Sequence, residues 1–286
     1  MGTRRMPAPI ENPLSGVGVG LRPTHYQAIL DNAPRIDWFE ALTENYLVGG
    51  GQPLYYLDAI AERYPIALHG VSLSIGSTDP LNRVYLHELK TLAARCRPAL
   101  ISDHLCWTGI DGMNTHDLLP LPYHEETLKH LTRRIRQVQD ILDRPLVLEN
   151  ISRYVSFSAS TFSEWGFLAT LTRETGCRLL LDINNIYVNA HNFGFSATDF
   201  IDGIPVDAVA QFHIAGHSVQ QALLIDTHDQ PVSPPVFNLL THALARFGAQ
   251  PILLERDDSI PPLDELVGEL DTARQLLAAH QSNTSE

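Results

Sequence analysis

Basic residues are scarce. The 286-residue chain carries 20 Lys+Arg against 33 Asp+Glu, a formal net charge of −13. Non-specific nucleic-acid affinity comes from Lys and Arg displacing phosphate counterions, so nucleic acid is not an expected partner. Cysteine is scarce too. Cys96, Cys106 and Cys177 cannot all pair within the chain, and none forms a C-x-x-C. That sets aside a disulfide framework and a thiolate zinc site. No apolar run approaches the ~18 residues of a membrane span. The opening MGTRRMPAPIENPLSG puts Pro7, Pro9 and Pro13 where a signal peptide needs an apolar stretch. Position 6 is Met, where a myristoylation signal needs Ser or Thr. The expected setting is cytoplasmic and reduced, with no membrane contact.

What is present is an ordinary globular composition, 44% hydrophobic and 19% charged, with short apolar runs that recur along the chain. They are Gly16–Gly20, Ile36–Phe39, Ile66–Leu68, Ala99–Ile101, Leu146–Leu148, Arg178–Leu181, Ala208–Phe212 and Pro251–Leu254. Short runs without strict alternation suit buried parallel strands. Between them, Pro80–Cys96, Glu125–Leu142 and Pro262–Ala279 carry helical spacing, and further helices are predicted near Pro23, Pro53, Thr161, Thr198 and Pro234. One strand and one helix per ~30 residues is the pattern of a (β/α)8 TIM barrel. The expected organisation is one barrel over residues 14–280, with flexible ends at 1–13 and 281–286. A doubly wound open sheet is the competitor, with GVGVG as its nucleotide loop. That motif needs G-x-G-x-x-G, and position 21 is Leu. The glycines instead predict close packing of the first strand or close approach to a ligand.

A TIM barrel builds its active site at the C-terminal ends of its strands. Here those ends read Glu40, His69, Asp103-His104, Glu149-Asn150, Asp182, His213 and Glu255. Each residue alone is an ordinary cap or loop residue. Converging on one rim, the carboxylates would repel one another unless cations lay between them, which points to a polynuclear metal site. Imidazole and carboxylate without thiolate suit iron, manganese, zinc or cobalt. Glu149 and Asp182 are the expected bridging pair. Asp226 and His228, two apart after strand seven, could reach one ion from an extended chain, or could be a polar turn. Asp103, Asn150, Asn189 and His217 are expected to support ligands or touch substrate. Tyr187, His191 and His116 are placed with Asn189 in rim loops. Trp107 and Cys106 read as packing, and His25, His87, His130, His242 and His280 as helix residues.

Seven segments occur in one order: HGVSLSIG (69–76), SDHLCW (102–107), LVLEN (146–150), LLDINNIYVNAHN (180–192), QFHIAGH (211–217), IDTHDQPV (225–232) and LLERD (253–257). Together they resemble the MbnB-type family of multinuclear non-heme iron-dependent oxidative enzymes, over roughly residues 14–275. The resemblance implies a (β/α)8 barrel that uses O2 and two or three iron ions, as Fe2+/Fe3+, to modify cysteine in ribosomally made precursor peptides. It implies His69, His104, Glu149, Asp182, His213, Asp226, His228 and Glu255 as metal ligands, with Glu149, Asp182 and His213 at the catalytic centre. The wider superfamily includes sugar isomerases and the zinc-dependent endonuclease IV group. The latter carries a histidine three residues after the Asp of strand six, where this chain has Asn185, a possible ligand to a third metal. Two rivals stand beside the oxidase: a divalent-metal hydrolase or isomerase, and a non-catalytic metal-binding partner. No peptide-recognition module lies outside the barrel, so a separate recognition protein is expected.

Overall fold

The computed structural model describes residues 14–283. Eight parallel strands close a barrel in the order β1-β8-β7-β6-β5-β4-β3-β2. They are β1 (Val17–Gly20), β2 (Trp38–Leu42), β3 (Ile66–Gly70), β4 (Ile101–His104), β5 (Val147–Glu149), β6 (Arg178–Asp182), β7 (Val209–Ile214) and β8 (Ile252–Leu254). Each coincides with a predicted apolar run, extended by one to three residues where the polar strand end also pairs. The residues expected at the frayed N-terminus, 1–13, lie outside those described.

Two apolar layers explain why this sequence closes. Outside the barrel, Phe39, Leu68, Leu148, Leu181 and Phe212 pack with the inner faces of the helices. Inside, Trp38, Ala67, Leu100, Val147, Leu180, Ala210 and Leu253 form a separate buried plug. Strand side chains alternate between faces, so residues two further on point the same way. From Trp38, Ala67, Val147, Leu180 and Leu253 that step reaches Glu40, His69, Glu149, Asp182 and Glu255. Between β6 and β7 the register slips, Leu179 pairing Val209 but Leu180 pairing Gln211. The slip changes the phase of β7 and turns both Gln211 and His213 inward, Gln211 beside Leu180 of the plug and His213 beside Asp182 of the ring. The polar ring thus stands directly on the apolar plug.

The helices are α1 (Tyr26–Asn32), α2 (Gln52–Ala61), α3 (Arg83–Cys96), α4 (Glu125–Leu142), α5 (Glu164–Thr175), α6 (Ile183–Phe193), α7 (Ala197–Asp202), α8 (Pro234–Phe247) and α9 (Leu263–Asn283). Side chains of Asn82, His124, Ser163 and Ser196 cap the starts of α3, α4, α5 and α7 by accepting backbone N–H bonds. Three local expectations need correcting. Helix α9 continues to Asn283, so part of the tail expected to be flexible is helical. Tyr187, Asn189 and His191 lie on α6, not in a rim loop. Asparagine-rich INNIYVNAHN has weak helix propensity, but Asp182 caps its start and left-handed Gly194 ends it. His116 lies in a β-hairpin, Trp107–Ile110 with Met113–Leu119, that follows β4. A smaller hairpin, Ser218–Gln220 with Leu223–Ile225, follows β7.

Gly18 shows what the first-strand glycines do. A Cβ there would stand 2.5 Å from the Trp38 ring and 2.8 Å from its carbonyl oxygen. Gly18→Ala is therefore expected to destabilise the barrel by about 1–3 kcal/mol through overpacking. Gly49→Ala, which meets nothing within 4 Å, is expected to stay within about 0.5 kcal/mol. Urea unfolding of the two variants checks this, and equal midpoints would show that Trp38 does not require the glycine.

Candidate metal centre

Two strand-end histidines present the same nitrogen. His104 Nδ1 donates to the Gly70 carbonyl at 3.0 Å. His69 Nδ1 donates to Ser102 Oγ at 2.8 Å, and that hydroxyl donates onward to the Leu68 carbonyl. Each Nδ1 therefore carries the ring proton, and each Nε2 holds a lone pair. The two Nε2 atoms face each other at 3.4 Å, and Glu149 Oε2 lies 3.2 Å from His69 Nε2 and 3.4 Å from that of His104. Glu149 Oε2 is buried with no hydrogen-bond partner. Three acceptors converge with no donor among them, which is a stable arrangement only around a cation.

Further sets follow around the rim. Glu149, Asp182, His213 and Glu255 bring donor atoms together, and so do His228, Glu255 and Asp257. Asp182 Oδ1 accepts the Asn185 amide at 2.7 Å as the cap of α6, while its Oδ2 is buried and unpartnered. His213 Nδ1 lies 3.0 Å from Glu255 Oε2 and 3.9 Å from Glu149 Oε1. His228 Nδ1 is 3.3 Å from both Glu255 Oε2 and Asp257 Oδ2. His228 Nε2 is 2.7 Å from Asp226 Oδ1, yet neither ring nitrogen has a partner in hydrogen-bond geometry. Asn185 Oδ1 is also buried and unpartnered. Unpaired oxygen and nitrogen lone pairs at this density fit two or three divalent ions. The carboxylates common to two sets are Glu149 and Glu255, and Asp182 Oδ2 lies 3.9 Å from His228 Nε2. Asp182 is half committed to capping α6, which leaves it one free oxygen.

Without metal, protons take the cations' place. Burial, reinforced by His69, holds His104 well below the usual imidazole range, and burial lowers His69. Both rings are neutral at pH 7. Burial and the charges of Glu255, Asp182 and Glu40 push Glu149 well up despite the opposing His213. Burial lifts Asp182 to about 7, against the pull of His228. Burial alone would lower His213, but Glu40 and Glu255 outweigh it and raise its pKa. His228 is raised likewise against burial by Asp226 and Glu255. Glu255, which burial would raise, is held low by His213 and His228.

The surrounding residues hold the donors in place. Asp103 accepts the backbone N–H groups of His104 and Leu73. Asn150 exchanges two hydrogen bonds with the backbone of Asp182, at 3.1 and 3.0 Å. Asn189 grips Ile151 and Arg153 in the loop after β5. His217 bonds Asn184, which donates to Asp226 Oδ1 at 2.7 Å. Tyr154 Oη accepts the Asp226 amide at 2.9 Å and ties the loops after β5 and β7 together. His228 has left-handed φ, +48°, so Asp226 and His228 meet through a turn and not through the simple extended spacing. A cavity of about 910 Å³ opens above, lined by Arg22, Asn114, His116, Arg153 and Tyr154 among others. Sequence reasoning missed Asn184, Gln211, Tyr154 and Asp257. Only Asp257 had a legible signal, standing two residues beyond Glu255 in LLERD.

Comparison with known proteins agrees with this architecture. Residues 16–278 match the family model described as RiPP precursor modification enzyme MbnB/TglH/ChrH. The chain is 54% identical over 268 residues to a UPF0276 protein of Caulobacter vibrioides, covering 93% of this chain and 96% of that one. It is 41% identical to a UPF0276 protein of Vibrio parahaemolyticus, covering 92% of each. Endonuclease IV from Thermus thermophilus superposes with a TM-score of 0.61 at 13% identity, covering 92% and 99%. A D-psicose 3-epimerase gives 0.59 at 12% identity, covering 92% and 97%. At such identities these structures share the fold alone.

The protonation pattern yields a signed prediction. Raised pKa values on Glu149, Asp182, His213 and His228 mean that the folded, metal-free chain binds more protons than the unfolded chain around neutrality. Its stability should therefore fall as pH rises from about 6 through neutrality. Divalent metal should release protons on binding and flatten that slope. Glu149→Gln should raise the metal-free Tm at pH 8 by at least the roughly 2–4 °C that about 1 kcal/mol represents, while removing a donor from two sets. Thermal scans across pH, with proton release followed in a weak buffer, check this. Metal uptake without proton release would contradict the buried-carboxyl account.

Proposed function

The chain belongs to the MbnB/TglH/ChrH family of RiPP precursor modification enzymes, and from that premise we propose that it is a multinuclear iron-dependent oxidase. It uses O2 to modify cysteine in a ribosomally made precursor peptide. The observation that carries the proposal is the overlap of three donor sets, buried except for Asp257 in the third, through Glu149 and Glu255. Separate mononuclear sites would not need shared carboxylates, whereas a cluster does. Nitrogen and oxygen donors without thiolate suit iron, and the family supports it over zinc, manganese or cobalt.

In this reading His69, His104 and Glu149 hold one ion, and Glu149, Asp182, His213 and Glu255 a second. His228 and Glu255, with Asp257, Asp226 and Asn185, hold a third. Iron supplies the O2 activation that no side chain performs. The chain's own residues orient and exclude. The apolar plug closes the floor, and Asp103, Ser102 and Asn150 keep the donors from rotating. The cavity is large enough to admit a short peptide segment past Arg22 and the first hairpin. Cys106 is buried with its thiol pKa pushed well up by burial, which leaves the substrate's cysteine as the reacting thiol. A separate recognition protein is proposed to deliver the peptide, in the cytoplasm.

The competing readings are a zinc or manganese hydrolase or isomerase on the same barrel, and a metal-binding partner without catalysis. Anaerobic purification with metal analysis and Mössbauer spectroscopy, followed by peptide mass spectrometry with and without O2, separates them. The expected result is two or three irons per chain and an O2-dependent mass change. Turnover with zinc and without O2 would establish the hydrolytic reading, and binding with no mass change the third. His228→Ala is expected to lower the metal count by one while His69, His104 and Glu149 keep theirs. An unchanged count would show that His228 is not a ligand.

A further inference from the structure

We propose that Glu40, steadied by Gln211, fixes His213 as an Nδ1 donor and so acts as the positioning residue of the central donor set. The inference rests on the metal-centre part of the reading above, but not on iron, oxygen or peptide.

The three strand-end histidines are not held alike. His69 and His104 turn Nδ1 away, to Ser102 Oγ and the Gly70 carbonyl, and present Nε2. His213 is reversed. Its Nδ1 faces Glu255 and Glu149, while its Nε2 lies 3.1 Å from Glu40 Oε1 and 3.2 Å from Glu40 Oε2. An ionised carboxylate only accepts, so Nε2 must carry a hydrogen, and Nδ1 is the one ring nitrogen left to ligate. Gln211 closes the arrangement by donating from Nε2 to Glu40 Oε2 at 2.7 Å. That nitrogen also lies 2.9 Å from His213 Nε2, and since neither N–H can accept, both point at the one oxygen they share, Glu40 Oε2. Turning that amide over would set its oxygen against the carboxylate. As it stands, Gln211 Oε1 is buried without a partner, a cost accepted in order to hold Glu40.

Glu40 also lines the cavity, but its side-chain hydrogen bonds go elsewhere. It is 4% exposed, on β2, and belongs to none of the converging donor sets among the described residues. A buried carboxylate is expensive, and an apolar residue would serve a barrel core better. Its hydrogen-bond partners are Gln211 and His213. A carboxylate that accepts the distal N–H of a metal-bound imidazole fixes the tautomer and ring angle and strengthens the donor. His213 then differs in kind from His69 and His104, whose partners are a hydroxyl and a backbone carbonyl.

The test uses zinc on the metal-free full chain. Zn(II) titration of wild type, Glu40→Gln and Glu40→Leu is combined with long-range 15N–1H NMR of the histidine rings. In wild type the His213 ring is expected to show Nδ1 bound to metal and a hydrogen on Nε2, with the reverse at His69 and His104. Removing such a partner commonly costs 10–100-fold in affinity. Glu40→Gln keeps an acceptor and should weaken the central ion about 10-fold, and Glu40→Leu about 100-fold, with the ion at His69 and His104 weakened less. Should Glu40→Leu fail to fold, the glutamine variant and the wild-type spectrum still decide. Wild-type affinity in the variants, equal weakening of every ion, or Nε2 ligation by His213 would each overturn the proposal. Because neither O2 nor peptide enters, failure of the oxidase reading would show itself separately, as absent turnover in a normally loaded protein.

Discussion

Unscreened negative charge at the end of a closed barrel is the constraint on which the rest depends. Glu40, Glu149, Asp182 and Glu255 are each no more than 8% exposed, and their mutual repulsion in low dielectric has to be cancelled locally. In the metal-free chain the same environment raises the proton affinity of Glu149, Asp182, His213 and His228. Glu149, Asp182, His213 and His228 are also members of the donor sets. The protonated state is therefore a fair map of where cations belong, and exchanging protons for metal explains why binding and pH must be linked.

The barrel makes such a concentration of charge tolerable by separating it from the apolar plug by a single step of strand alternation. Trp38 and Glu40 share the inward face of β2, Val147 and Glu149 that of β5, and Leu253 and Glu255 lie along β8 and its end. Stability is supplied below and chemistry above, from the same strands. The one register slip, between β6 and β7, is the exception that admits Gln211 and His213 together. Without it residue 211 would pair with outward-facing Leu181, and Gln211 and His213, which share a face by alternation, would both turn away from Glu40.

Much of this was legible in sequence because buried parallel strands announce themselves as short apolar runs, and the residue after each run is confined to the rim. That logic located His69, His104, Glu149, Asp182, His213 and Glu255. It failed where placement depends on long-range packing. Helix α6 was obscured by asparagines whose amides grip neighbouring loops: Asn184 to Asp226, Asn189 to Ile151 and Arg153, Asn192 to Leu224. The two hairpins read as loops because short, mostly exposed ribbons have no apolar face to betray them. Gln211 and Tyr154 carry no local signal at all, since their importance lies in partners 171 and 72 residues away.

The donor sets also differ in what carries them, and that difference bears on their use. His69, His104, Glu149, Asp182 and His213 project from paired strands, so their spacing is set by the barrel itself. Asp226, His228 and Asp257 stand on loops, held by the Tyr154 hydroxyl, the Asn184–His217 pair and the ion pair between Asp257 and Arg22. Tyr154 and Arg22 line the cavity, so a molecule filling it would touch the same side chains that hold the outer donors. Strand-borne donors cannot respond to that pressure without breaking the barrel, but loop-borne donors can, by local shifts of hydrogen-bonded side chains. Glu255 belongs to both the central and the outer set. Glu255 Oε2, 3.3 Å from His228 Nδ1 and 3.0 Å from His213 Nδ1, is thus the one atom through which a shift of His228 would reach the central set.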